Sequence, residues 1–185
     1  LVERINIVGN NITNEDVIRG ELIVDEGDPF TQLGLEKSIA EIRARNIFKD
    51  VKYSVSEGSA KNLKLIEIQV EEQPTGEISA GAGIGTNGGS FAFNIKESNW
   101  LGKGQSLSFE AEVDAESIAG AVIFSDPNYD FLGNSLNYSI ANENNDKPDQ
   151  GYENTITSLG VGTSFEQYQD IRVNLGISAS YDDLR

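Results

Sequence analysis

Ile171-Arg172-Val173-Asn174-Leu175-Gly176-Ile177-Ser178-Ala179-Ser180-Tyr181 alternates without a break. Each odd-numbered residue is apolar or aromatic; each even-numbered one is glycine, polar or charged. That period of two puts one apolar and one polar face on a single extended strand. The same grammar runs back to about residue 75. Ile78, Ala80, Ala82 and Ile84 alternate with Ser79, Gly81, Gly83 and Gly85. Phe91, Phe93 and Ile95 form a second apolar face; Leu107, Phe109, Ala111 and Val113 a third; Ile118, Val122 and Phe124 a fourth; Leu136, Tyr138 and Ile140 a fifth. Leu159, Val161 and Phe165 make a weaker sixth. With the opening stretch this is about seven strands. Asn87-Gly88-Gly89 between the first two is a hairpin signal. The pattern predicts an all-β antiparallel meander over residues 74–185.

Residues 1–73 obey a different rule. Val2, Ile5, Ile7 and Val8 read as a strand ending at Gly9-Asn10. Thr13, followed by Glu15 and Asp16, reads as a capping box opening a short helix that ends near Gly20. Glu26-Gly27-Asp28-Pro29 is a turn. A second helix follows Thr31, with Leu35, Ile39 and Ile42 on one face and Arg43 and Arg45 in the last turn. Ile47 and Phe48 lead into a strand with Val51, Tyr53 and Val55, and Ile66, Ile68 and Val70 form another. The order βααββ predicts a small α+β domain with a three-stranded sheet. Gln73-Pro74 separates it from the strands. A sheet this narrow leaves an edge able to pair with extended peptides; Lys52 and Lys64 are expected on edge strands.

Composition narrows the function. Cysteine and histidine are both absent, so no disulfide, thiolate metal site or imidazole base is available. The net charge of −16 opposes binding to nucleic-acid phosphates. No run of apolar residues is long enough for a transmembrane helix. Barrel strands, however, cross a bilayer in about 9–11 alternating residues. Three features favour a membrane barrel over a soluble sandwich. The polar faces are dominated by glycine, serine and asparagine. The connections after strands two, four and six carry Trp100 and Leu101, Tyr129 and Phe131, and Phe165 and Tyr168, as an aromatic girdle at one membrane interface would. The long connection 141–151, rich in asparagine and aspartate, lies on the other side. The chain begins at Leu1 with no leader-like stretch and reads as a segment of something longer.

Pro74-Thr75-Gly76-Glu77, Gly81-Ala82-Gly83-Ile84-Gly85-Thr86 and Ser98-Asn99-Trp100-Leu101-Gly102-Lys103-Gly104 resemble the junction and first hairpin of the BamA family. Ser125-Asp126-Pro127-Asn128-Tyr129, followed by Gly133, resembles the next periplasmic turn. Gly9-Asn10, Arg19-Gly20-Glu21-Leu22 and Asn46-Ile47-Phe48 resemble the last POTRA domain of that family. The resemblance implies a POTRA domain over 1–73 in the periplasm and the first strands of an outer-membrane barrel over 74–185, a partial barrel. It implies assembly and insertion of outer-membrane β-barrel proteins, with unfolded clients, outer-membrane lipids and accessory lipoproteins of the assembly complex as partners. It implies no enzyme activity, cofactor or metal.

Within this frame the first barrel strand stands out. Ile78, Ser79, Ala80, Gly81, Ala82, Gly83, Ile84 and Gly85 offer a backbone ladder with little side-chain packing, and glycine weakens a strand interior. They are expected to form a lateral gate that pairs with a client strand. Glycines placed merely to relieve crowding are the plain alternative. Two other functions stay open: a POTRA-bearing transporter that secretes a partner through the lumen, and a soluble β-rich binding module. Other motifs carry less. Gly83-x-Gly85-x-x-Gly88 lacks the helix that a dinucleotide site needs. Glu110 and Glu112 share a strand face without a base. Glu143, Asp146 and Asp149 fit no calcium-loop spacing.

Overall fold

The structure, a computed structural model, describes residues 1–85, 88–148, 150–168 and 171–185. The chain divides into two compact units: Leu1–Thr75 together with Leu101–Gly104, and Gly76–Trp100 together with Gln105–Arg185.

The first unit runs β1 (Val2–Val8), α1 (Glu15–Arg19), α2 (Gln32–Ala44), β2 (Phe48–Glu57), β3 (Lys64–Glu72). The helical spacing of Leu35, Ile39 and Ile42 buries all three against the sheet, with Ile5, Ile18, Ile47, Val51, Ile66 and Ile68 in the same core. Each such side chain contributes about 1.5–3 kcal/mol of burial. Thr31 caps α2, its Oγ1 accepting from the Gly34 amide at 3.1 Å. Arg43 lies in the last turn; Arg45 is the C-cap residue.

Thr13 does not cap α1. Asn14 holds the N-cap position, and its side chain makes no capping hydrogen bond. Thr13 is buried, and its amide donates to Glu72 at 2.7 Å. The Glu72 carboxylate also accepts from the Asn11 and Ile12 amides at 3.0 Å. The helix entry is therefore fixed by a carboxylate from the far end of the domain. Partial desolvation pushes the Glu72 carboxyl up, but its bonds to Thr13, Ile12 and Asn11 outweigh this and hold it below its ordinary 4.5. A lowered folded value means the contribution is complete above the ordinary carboxylate range and is lost as pH falls through the folded value. Wild-type unfolding midpoints should thus drop on acidification below about pH 4.5, and Glu72→Gln should flatten the curve in that window. Identical pH profiles for the two proteins would remove Glu72 from the account.

The sheet order is β1-β3-β2, with β1 parallel and β2 antiparallel to β3. Lys52 is on an edge strand, but Lys64 lies on the central one. The reason is non-local: β3 presents Ile66, Ile68 and Val70 to the core and is flanked on both sides. Proline at Lys64 would break the sheet rather than test an edge.

The second unit is β4 (Gly76–Gly85), β5 (Gly88–Trp100), β6 (Gln105–Val113), β7 (Ser117–Asp126), β8 (Ser135–Lys147), β9 (Tyr152–Tyr168) and β10 (Ile171–Leu184). They form one seven-stranded antiparallel sheet in strict sequence order. The register aligns the alternation across all seven strands. Ile78, Ile95, Phe109, Val122, Ile140, Leu159 and Ala179 form one continuous row on one face. Ser79, Asn94, Glu110, Ala121, Ala141, Ser158 and Ser180 form the neighbouring row on the other. A slip of one residue between any two strands would interrupt both rows. Phe109 and Ile140 on the apolar row stay 46% and 50% exposed. Among the described residues no second layer covers that face, as a soluble sandwich would require.

Two expectations about connections change. Residues 141–151 are not a long loop: β8 extends to Lys147 and β9 starts at Tyr152. Asn142 Nδ2 donates to Thr157 Oγ1, Asn144 to Glu153 and Thr155, and Asn154 to Asp182. These cross-strand bonds hold strands that are polar on both faces and so give no alternation to read. Phe165 likewise lies inside β9 rather than in the turn after it. Thr86, Asn87 and Asp149, on which expectations above also rest, fall outside the described residues.

Candidate functional site

The eight residues from Ile78 to Gly85 all fall on β4. This strand is an edge of the sheet, paired only with β5 among the described residues. All ten of its residues are exposed, Ile84 by 96%. An ideal Cβ at Gly81 or Gly85 would meet no atom within 4 Å, and at Gly83 only the Ser90 hydroxyl at 3.1 Å. None of the three has a left-handed backbone. Chain reversal therefore does not demand glycine here, and the one close approach is that of Ser90 to Gly83.

The expected girdle residues gather at one end of the meander by topology. Trp100 ends β5, Tyr129 and Phe131 lie in the connection after β7, and Tyr168 ends β9. Trp100 is 39% exposed and Tyr168 73%. Phe131 is held at φ 60°. Its turn is braced by Asp130, which accepts from the Leu132 amide, and by Asn128, which accepts from the Gly133 amide. Leu101 is exposed too, but its turn packs with the first unit.

The first unit has two unequal edges, which the sequence did not distinguish. The outer side of β1 is occupied. Val2 donates to Asp28 O and accepts from Gly27; Ile5 donates to Glu26 Oε1 and accepts from Arg19. On β2 the Val51 carbonyl accepts from Arg43 at 2.5 Å, and Tyr53 and Val55, which alternate with it, continue the outward-facing edge. On the polar face of the large sheet, Glu110, Glu112 and Glu143 line an open hollow of about 420 Å³ with Ser79 and Asn94. Among the described residues no group of acids is placed to hold a metal ion, and no helix is long and apolar enough to cross a membrane.

Known proteins share this arrangement. Residues 1–73 match the POTRA family, described as a surface antigen variable number repeat, and residues 99–185 match the Omp85 superfamily domain. The outer membrane protein assembly factor BamA of Neisseria meningitidis serogroup B is 25% identical over 97% of this chain, and that of Neorickettsia risticii 27% over 99%. The chain spans 24% and 25% of the length of these curated relatives. The crystal structure of Haemophilus ducreyi BamA lacking POTRA domains 1–3 superposes with a TM-score of 0.86 at 23% identity, over 100% of this chain and 36% of that one. CdiB from Acinetobacter baumannii reaches 0.66 at 14% identity, over 99% of this chain and 38% of its own, a likeness of fold alone.

The chain thus joins a POTRA-type domain over residues 1–73 to antiparallel strands that match the Omp85 superfamily domain over residues 99–185. Over nearly its whole length it is BamA-like.

Proposed function

We propose that this chain is the gate-bearing portion of a protein that assembles and inserts β-barrel proteins into the outer membrane. The observation that carries the reading is β4: among the described residues an edge strand, exposed throughout, whose Gly81 and Gly85 meet no neighbouring atom. Its backbone is free to pair while few side chains hold it to any one partner. Exchanging one strand ladder for another is close to neutral in energy, because equivalent hydrogen bonds replace those lost. An unfolded client presenting a barrel strand therefore fits this edge by β-augmentation. Residues 74–185 act as the barrel portion, and Trp100, Leu101, Tyr129, Phe131, Phe165 and Tyr168 anchor it at the periplasmic interface of the lipid. The open β2 edge of the POTRA domain receives extended segments on their way to the gate, and accessory lipoproteins of the assembly complex complete the machine. The relatives are named as assembly factors.

Single cysteines from Ile78 to Ile84, in the full-length protein, should cross-link to the terminal strand of a stalled client. Reactivity should repeat at every second position, as strand register requires. Uniform or absent cross-linking along β4 would sink the gate.

A further inference from the structure

The turn between β5 and β6 does not behave as a free barrel turn: Leu101–Gly104 belongs to the first compact unit. Gly102 and Gly104 are buried while Leu101 and Lys103, which alternate with them, are exposed. The Gly102 carbonyl accepts from the Asn14 amide at 2.8 Å. Its backbone sits at φ +72°, and a Cβ there would lie 2.1 Å from the Ile12 carbonyl oxygen. The Gly104 carbonyl accepts from Arg45 Nη2 at 2.6 Å, and a Cβ on Gly104 would lie 2.7 Å from Val17. Arg45 Nη1 stands 3.5 Å from Glu21 Oε1, with both side chains only 13% and 14% exposed.

We infer that Arg45 is a latch that holds this turn in the POTRA domain. A guanidinium with little access to water needs both a counter-charge and acceptors in fixed directions. Glu21 supplies the first and the Gly104 carbonyl the second. The two nitrogens of one planar fork serve both partners, which a lysine ammonium, a single point donor, does poorly. The Gly102 bond on the opposite side of the turn rests on residues 11–13, which the Glu72 carboxylate holds. With Arg45 withdrawn, the turn loses the bond that ties its Gly104 side to α2, while the Asn14 bond on the Gly102 side remains. The latch matters to the gate because β5, which ends at this turn, is the ladder partner of β4 along its whole length. That last step rests on the proposed gate; the latch itself does not.

Hydrogen exchange in the full-length protein tests it. Arg45→Ala should speed exchange of the Asn14 amide about tenfold, the order expected for losing a charged hydrogen bond, while amides of β3 stay protected. Arg45→Lys should fall between. Unchanged Asn14 exchange in Arg45→Ala overturns the latch. Should that variant lose protection throughout the domain, Arg45→Lys decides: wild-type exchange at Asn14 in it overturns the proposal, and selective acceleration supports it. Cross-linking from β4 in the same proteins separates the two ideas. Accelerated exchange with no cross-links even in wild type keeps the latch and discards the gate.

Discussion

Arginine in place of Phe109 should stop the full-length protein from folding into a bilayer, whereas arginine in place of Ser108 should leave folding close to wild type. The two residues are adjacent, so chain position and local propensity are matched, and only the face differs. Phe109 stands mid-row between Ile95 and Val122 on the apolar face. Ser108 stands between Lys96 and Ile123 on the polar face. A cation on the lipid side of a barrel strand costs about 2–4 kcal/mol near the midplane, while the lumen side is wet. The net folding free energy is itself small, so one such charge is a large fraction of it. Folding into lipid vesicles, followed by the gel-mobility shift of folded barrels, is the measurement. Equal loss in both variants would mean that the two faces are misassigned.

The second large effect is expected at Gly9. It has φ +95° immediately after β1, and a Cβ there would lie 2.0 Å from the Val70 carbonyl oxygen, a backbone atom on the central strand. Gly9→Ala must therefore both strain the backbone and lift the end of β1 away from β3. Together these should cost about 3–5 kcal/mol. Gly27 is the internal control: its φ is +97°, yet a Cβ there meets nothing within 4 Å. Gly27→Ala should cost only the backbone strain, about 1–2 kcal/mol. Hydrogen exchange of β3 amides in the two variants measures the difference. If the two cost the same, the close approach at Val70 is not what requires glycine.

Much of this architecture was legible because it is local. Alternation at 171–181 and 107–113, the helical spacing of Leu35, Ile39 and Ile42, and the Thr31 cap each depend on neighbours a few residues away. What the sequence hid was set at long range. The carboxylate that fixes the entry to α1 comes from Glu72. The placing of Lys64 on a central strand follows from parallel pairing with β1. The outer side of β1 is closed by Glu26, Asp28 and Arg19. The extension of β8 and β9 through an asparagine-rich stretch depends on cross-strand amide bonds that carry no hydropathy signal. For the candidate site, the exposure and weak packing of β4 could be read from its small residues, but the capture of the β5–β6 turn could not. Gly102 and Gly104 look like ordinary turn glycines until Ile12, Asn14 and Arg45 are brought beside them.

The parallel pairing of β1 with β3 also sets a timetable for the emerging chain. The strand in the middle of the POTRA sheet is the last of the three to be synthesised, and β1 must wait for it with no other strand beside it. Helices α1 and α2 can form early, but the sheet can close only when both ends of the domain are present. Such high contact order slows folding. The seven strands that follow have the opposite character, since each pairs with its predecessor across a short connection. One chain therefore joins a domain that closes in a single late step to a sheet that can grow hairpin by hairpin.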